Sequence, residues 1–215
     1  SLSTAVDADV TVSLVITHIT ADSTDVVSSD ITAVIPANSD SITFAVATLD
    51  DAFNDPNETY LIRISDVSHD GDFRAVVIND EVETLIRDQV GSDFPPQSED
   101  IAIVSLSGPS EIEEGGDSAP YTISISEFVP SNSTVLVGVT YQGTAANGSD
   151  FVGVSTVTLV GTNSATFTLS SLDDALTEGA ETFIVGIDSI ADNGTFESIE
   201  VGLATVTTVI TETTL

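Results

Sequence analysis

The sequence predicts an all-β chain made of two tandem Greek-key, immunoglobulin-like β-sandwiches, the first lacking its first strand. Three observations carry this reading. Short runs rich in Val, Ile and Thr recur between turn signals, at the spacing of an antiparallel sandwich. No segment has helical periodicity. One pattern occurs twice, as LDDAFNDPNETY at residues 49–60 and as LDDALTEGAETF at residues 172–183, and an internal repeat of this kind divides 215 residues into two ordinary domains.

The expected order of elements follows from that repeat. In the first copy, residues 1–89, strands are expected at 10–19, 31–35, 41–48, 58–67 and 73–87, with turns at 22–25, 36–40 and Asp70-Gly71. In the second copy, residues 101–215, the same order returns at 134–142, 155–160, 164–171, 181–190 and 196–211, preceded by two further strands at 101–107 and 119–127. ADSTD at 21–25 matches ANGSD at 146–150, which leaves the first copy without a counterpart to the opening strand. An unpaired sheet edge invites another strand, so the chain is expected either to be cut from a longer one or to exchange a strand with another copy. Between the copies, residues 90–100 read VGSDFPPQSED, and Pro95-Pro96 makes this a spacer of limited bend.

Composition narrows the function. The formal charge is −32, from 35 acidic residues against Arg63, Arg74 and Arg87, with no lysine. Nucleic acid and anionic membrane surfaces both require positive charge on the protein and are excluded as partners. A 41% apolar content is too high for a disordered acidic tail. With no cysteine, stability must come from core packing or bound ions. No apolar run approaches a membrane span of ~18 residues. The chain begins without methionine and reads as a fragment of something longer.

Turns between antiparallel strands fall alternately at the two ends of a sandwich, so the carboxylates can be assigned to a pole by counting. In the first copy Asp25, Asp50, Asp51, Asp55, Glu58 and Asp88 belong at one pole. In the second, the same count gathers Asp150, Asp173, Asp174, Glu178, Glu181 and Glu212, together with the loop carrying Glu114. Two like charges 4 Å apart repel by about 1 kcal/mol in water and several-fold more when half-buried. A hard divalent cation removes that cost. Calcium fits irregular oxygen-lined loops better than magnesium, which demands tight octahedral geometry, and zinc lacks Cys or paired His. The alternative is a solvated acidic surface in a salt-adapted protein. Recurrence at fixed turns argues against it.

These residues resemble the Calx-beta family, whose pattern has a Glu-Gly near the first strand, then GTA..GSD, then an acidic DD....E..ETF turn. The second copy carries Glu114-Gly115, GTAANGSDF at 143–151 and DDALTEGAETF at 173–183, so the resemblance spans most of residues 101–212. The first copy keeps Asp25, Asp50, Asp51 and Glu58, lacks the Glu-Gly strand, and has Asp55 where the second has Glu178. The resemblance implies calcium ligands from that Glu, the GSD aspartate, the acidic turn, and a run after the last strand that is reduced here to Asp88 and Glu212. Similar modules occur in sodium-calcium exchangers as sensors and in large bacterial RTX-type adhesins as extender repeats. The lack of lysine and the acidity look more like the latter.

The expectation is therefore a calcium-binding extender module of a secreted adhesin at a bacterial cell surface, stiffened by calcium at its acidic pole and interdomain joint, with neighbouring repeats of the same chain as partners. A calcium-sensing regulatory domain and a calcium-bridged ligand-binding module are the alternatives. No enzyme activity is expected: the second copy has no His, and no G-x-S-x-G elbow is present. His18 and His69 read as structural or solvent-facing.

Overall fold

In the computed structural model the chain is all-β, and the structure describes residues 1–27, 29–69, 81–87, 98–173 and 179–212. Two compact units divide it, Ser1–Asp51 with Asp55–Pro95, and Ala52–Asn54 with Pro96–Leu215. Among the described residues there is no helix, and hence none long and apolar enough to cross a membrane.

The first unit contributes β1 (Val10–His18), β2 (Ile31–Ile35), β3 (Glu58–Ser68) and β4 (Glu81–Ile86), paired antiparallel in the order β2-β1-β3-β4. In the second unit the strands are β5 (Ile101–Ser107), β6 (Glu111–Glu113), β7 (Tyr121–Ile125), β8 (Val135–Gly143), β9 (Phe151–Val152), β10 (Thr156–Leu159), β11 (Ser164–Phe167), β12 (Ser170–Ser171), β13 (Glu181–Ala191), β14 (Ser198–Val201) and β15 (Thr205–Thr211). They form sheets in the orders β10-β8-β13-β15-β6 and β11-β7-β5-β14, with a short β12-β9 pair. Alternate residues of the two large sheets make one core: Tyr121, Ile123, Val135, Val137, Leu159, Phe183 and Val185 have essentially no exposure. Phe151 and Phe183 stack with ring centroids 4.4 Å apart.

The repeat extends to the register. His18 pairs with Tyr60 as Gly143 pairs with Phe183, and Glu58 pairs with Ile86 as Glu181 pairs with Ile210. Both copies carry a β-bulge at the same place, where Ser65 in one and Asp188 in the other interrupts the ladder. The order β2-β1-β3-β4 thus reproduces β10-β8-β13-β15.

Several elements differ from the sequence reading. Residues 41–48 form no strand; Thr48 makes an isolated bridge to Val26. Their counterpart, β11, pairs with β7, and among the described residues of the first copy no strand corresponds to β7, so SITF at 41–44 has strand composition but no ladder there. Ile42 and Phe44 are accordingly exposed. The inner face of the first sheet is thinly covered as a result. Val82 opposite Ile62 is 58% exposed, whereas the equivalent Val206 opposite Val185 packs against the core.

In the second unit residues 196–211 are two strands rather than one. At Gly202 the chain leaves the β5 sheet, and an added Cβ there would lie 2.8 Å from Ser105 Oγ. The opening strand runs over 101–107 as expected, but the loop after it adds a short strand: β5 and β6 lie in different sheets, separated by Gly108 and Pro109. Pro109 cannot donate to a ladder, and any Cβ at Gly108 would collide with the Tyr121 ring. Through this separation β14 with β5 and β15 with β6 pair parallel, departures from an antiparallel sandwich. The expected Asp70-Gly71 turn, the strand start at 73–80 and most of the spacer lie outside the described residues.

Candidate functional site

Each copy builds its acidic turn on the same backbone frame. In the first, the N–H groups of Thr20 and Ala21 donate to Thr59 O, and that of Leu49 donates to Asp25 O at 2.7 Å. In the second, Thr144 and Ala145 donate to Thr182 O, and Leu172 donates to Asp150 O at 2.8 Å. The aspartate ending each turn has one carboxylate oxygen fixed by its own loop: Asp22 N–H donates to Asp25 Oδ2 at 2.6 Å, and Ala146 N–H donates to Asp150 Oδ2. Asp22 is tied in as well, its carboxyl held below the ordinary range by the backbone N–H and then the hydroxyl of Thr24. The segment from Asp22 to Asp25 thus makes a self-bonded turn that carries Asp25.

In the first unit Asp25, Asp50, Asp51, Asp55 and Glu58 line one cleft of about 280 Å³, together with Thr48, Leu49, Ile86 and Arg87. Carboxylate oxygens of Asp25, Asp55 and Glu58 lie within 4.8 Å of one another, a spacing at which one ion can take an oxygen from each. Asp25 is only 8% exposed. Glu58 Oε2 is buried and, among the described residues, accepts no hydrogen bond. Burial pushes the Glu58 carboxyl up to about 8, helped by a hydrogen bond shared with Asp25 and by the like charges of Asp25, Asp55 and Asp22. Without a cation, Glu58 favours its protonated form far more than an ordinary glutamate does. Three carboxylates so close repel one another unless positive charge joins them.

In the second unit Glu114, Asp150, Glu181 and Glu212 line a tighter cleft of about 20 Å³ with Ser149, Leu172, Gly179 and Ile210. Gly179 N–H donates to Glu212 Oε1 at 3.1 Å. Asp173 lies against Gly115, whose φ of +72° places the backbone where an added Cβ would stand 3.2 Å from Asp173 Cβ. The Glu-Gly pair thus lets the β6 loop approach the acidic turn. Ser171 reinforces that approach, its hydroxyl donating to Glu113 O at 2.6 Å. Asp88, Asp174 and Glu178, the remaining candidate ligands, lie outside the described residues.

Sequence reasoning missed Arg87, which the β3–β4 register brings into the first cleft beside the carboxylates. The signal was available: the strand counted to the acidic pole ends in it. His18 is structural, its Nε2–H donating to Val26 O at 3.2 Å.

No family model and no curated protein matches the chain. Among solved structures it is similar to the apo form of the Calx CBD1 domain, at 18% identity over 53% of this chain and 98% of that one, with a TM-score of 0.42. It is also similar to CBD12 from CALX1.2, at 16% identity over 97% of this chain and 90% of that one, TM-score 0.39. A third similar structure is the calcium binding domain CBD12 of CALX1.1, at 16% identity, 94% and 87% coverage, and a TM-score of 0.38.

Proposed function

We propose that the chain is a calcium-binding structural module, with one cation site in the first cleft at Asp25, Asp55 and Glu58 and a second in the cleft of Glu114, Asp150, Glu181 and Glu212. One observation carries the reading: three carboxylates converge within 4.8 Å, one oxygen of Glu58 being buried without a hydrogen bond among the described residues. Such a group of oxygens is costly when empty and is relieved by a hard cation. Calcium is the ion because the donors are carboxylates of a turn, a loop and one strand end with no preset octahedron, and calcium accepts six to eight oxygens at variable angles. Asp50, Asp51 and water complete the shell.

At the finer level the module is an extender of a bacterial surface adhesin, secreted with its neighbouring repeats, performing no chemistry and holding a distal domain away from the cell. Supporting this are the absence of lysine, the charge of −32 and the tandem repeat. Extracellular calcium modules of this kind work at dissociation constants of order 10⁻⁴ to 10⁻³ M. An ion at one hundred times its dissociation constant adds about 2.7 kcal/mol to the unit that holds it. The test is a calcium titration of the whole chain, with magnesium as control, followed by thermal melting and small-angle scattering. Stabilisation and a longer, narrower particle at millimolar calcium support the extender. Saturation at micromolar calcium favours a sensor, and a response no larger than magnesium's refutes calcium binding.

A further inference from the structure

The two clefts differ in one cationic side chain: Arg87 joins five carboxylates in the first, whereas four carboxylates line the second with no cation. Because Glu58 pairs with Ile86 where Glu181 pairs with Ile210, Arg87 and Thr211 occupy the same place at the end of the last strand. Thr211 is neutral and its hydroxyl donates to Ile112 O at 3.3 Å. Arg87 is exposed and lines the first cleft. It is one of three cationic side chains in the whole sequence. The ion pair found among the described residues is Arg63 with Glu81, at 2.9 Å, so the Arg87 guanidinium stands at the rim of the carboxylate group without bonding to its described members.

Resting on the calcium reading above, we propose that Arg87 is an affinity-determining residue: a tethered cation that competes with calcium for the carboxylates of the first cleft and lowers the affinity of that site. The chemistry is that of the side chain. A guanidinium carries permanent charge on a long flexible stem and matches carboxylates with a planar fork of donors. In the empty cleft it stands at the rim as a partial counter-ion. When calcium enters, it must withdraw, and its charge then repels the bound ion across the cleft mouth. Either state lowers the net gain from binding, and both are screened by salt. Thr211 imposes neither cost on the second cleft.

The experiment is calorimetric titration of the full chain with calcium chloride, at low salt and again at about 300 mM potassium chloride, where the screening length falls well below 10 Å. The variants are Arg87→Thr and Arg87→Lys. Glu58→Gln, by erasing one class of heat, identifies which class belongs to the first cleft. The expected result is two classes in the native chain, with R87T tightening only the class that E58Q erases, by ~3- to 10-fold. R87K should stay within about twofold of native, and the R87T gain should shrink at high salt. If calcium heat is present but R87T leaves the first class unchanged or weakens it, Arg87 has no such role while the cation sites stand. If R87K behaves as R87T, charge is not the cause and the proposal is overturned. If neither native chain nor variants give calcium heat, the reading of the clefts fails and this inference fails with it.

Discussion

Replacing Glu58 by Gln isolates the electrostatic cost of the empty first cleft. In the ion-free folded chain the Glu58 carboxyl is pushed up to about 8 from an ordinary 4.5. Between those values the folded chain holds a proton that the unfolded chain has released. The linked stability is therefore fully present below about pH 4.5 and is lost as pH rises through about 8. A shift of that size is worth about 5 kcal/mol unscreened. The cleft opens to water, so about 2 kcal/mol is the expected effect after screening.

Gln stays neutral at every pH and keeps an N–H to donate to Asp25. In chelator, E58Q should match the native protein near pH 4.5 and exceed it by about 2 kcal/mol near pH 8.5, a rise of roughly 10 °C in the melting temperature of a unit this size. In millimolar calcium the order reverses, because the amide offers the ion no charge. Differential scanning calorimetry across pH, with chelator and with calcium, reads both signs. Parallel pH profiles for native and E58Q proteins in chelator would refute the coupling of Glu58 to its carboxylate neighbours.

Other sites give further tests. Asp150→Ala removes the acceptor for Ala146 N–H and one carboxylate of the second cleft; it should cost about 1–3 kcal/mol in chelator and abolish the calcium-dependent part of the second unit's melting, read by the same calorimetry. Tyr121→Phe deletes a buried hydroxyl that shares a hydrogen bond with Thr208, a residue of 0% exposure. The expected loss is about 1–2 kcal/mol with calcium affinity unchanged, measured by denaturant unfolding and titration. Gly108→Ala drives a methyl into the Tyr121 ring and should destabilise by about 1–3 kcal/mol, seen as an earlier denaturant midpoint with unchanged slope.

Much of the fold was legible because its signals are local. Alternation in VTVSLVITH and the duplicated DD....E turn located strands and acidic loops, and strand parity alone brought Asp25, Asp50, Asp51, Asp55 and Glu58 to one cleft. What was not legible depends on partners distant in sequence. SITF and SATF have the same strand propensity, yet Ser164–Phe167 finds Tyr121–Ile125 beside it and residues 41–44 find nothing equivalent. Propensity measures fit to a pleated surface, and no surface is supplied there. The short strand β6 after Gly108-Pro109 and the division at Gly202 were hidden for a related reason. Both flanks are strand-like, and the transfer between sheets is fixed by contacts with Tyr121, Ile103 and Ser105. Arg87 escaped notice because net charge was weighed for the whole chain, whereas at the cleft one cation among five carboxylates alters the local balance.

The two units should also depend on calcium to different degrees, and the reason lies in their cores. Fully buried aromatic and aliphatic side chains fill the second unit, Tyr121, Phe183 and Leu159 from its two large sheets and Phe151 and Leu169 from the segments beside them. Among the described residues the first unit has two small groups, Ile16, Ala21, Val26 and Tyr60 in one and Val6, Val10 and Ile35 in the other. Hydrophobic stabilisation scales with apolar area removed from water, at roughly 25 cal/mol per Å², so by its described residues the first unit starts from the smaller margin. An ion contributing about 2.7 kcal/mol is then a larger fraction of what keeps that unit folded. Arg87 raises the calcium concentration at which this contribution arrives. The first unit is thus expected to melt first in chelator and to show the larger rise in melting temperature between chelator and millimolar calcium. Equal responses of the two transitions would mean that core size does not set the dependence, and a response confined to the second unit would remove the first cleft from the ion-binding surface.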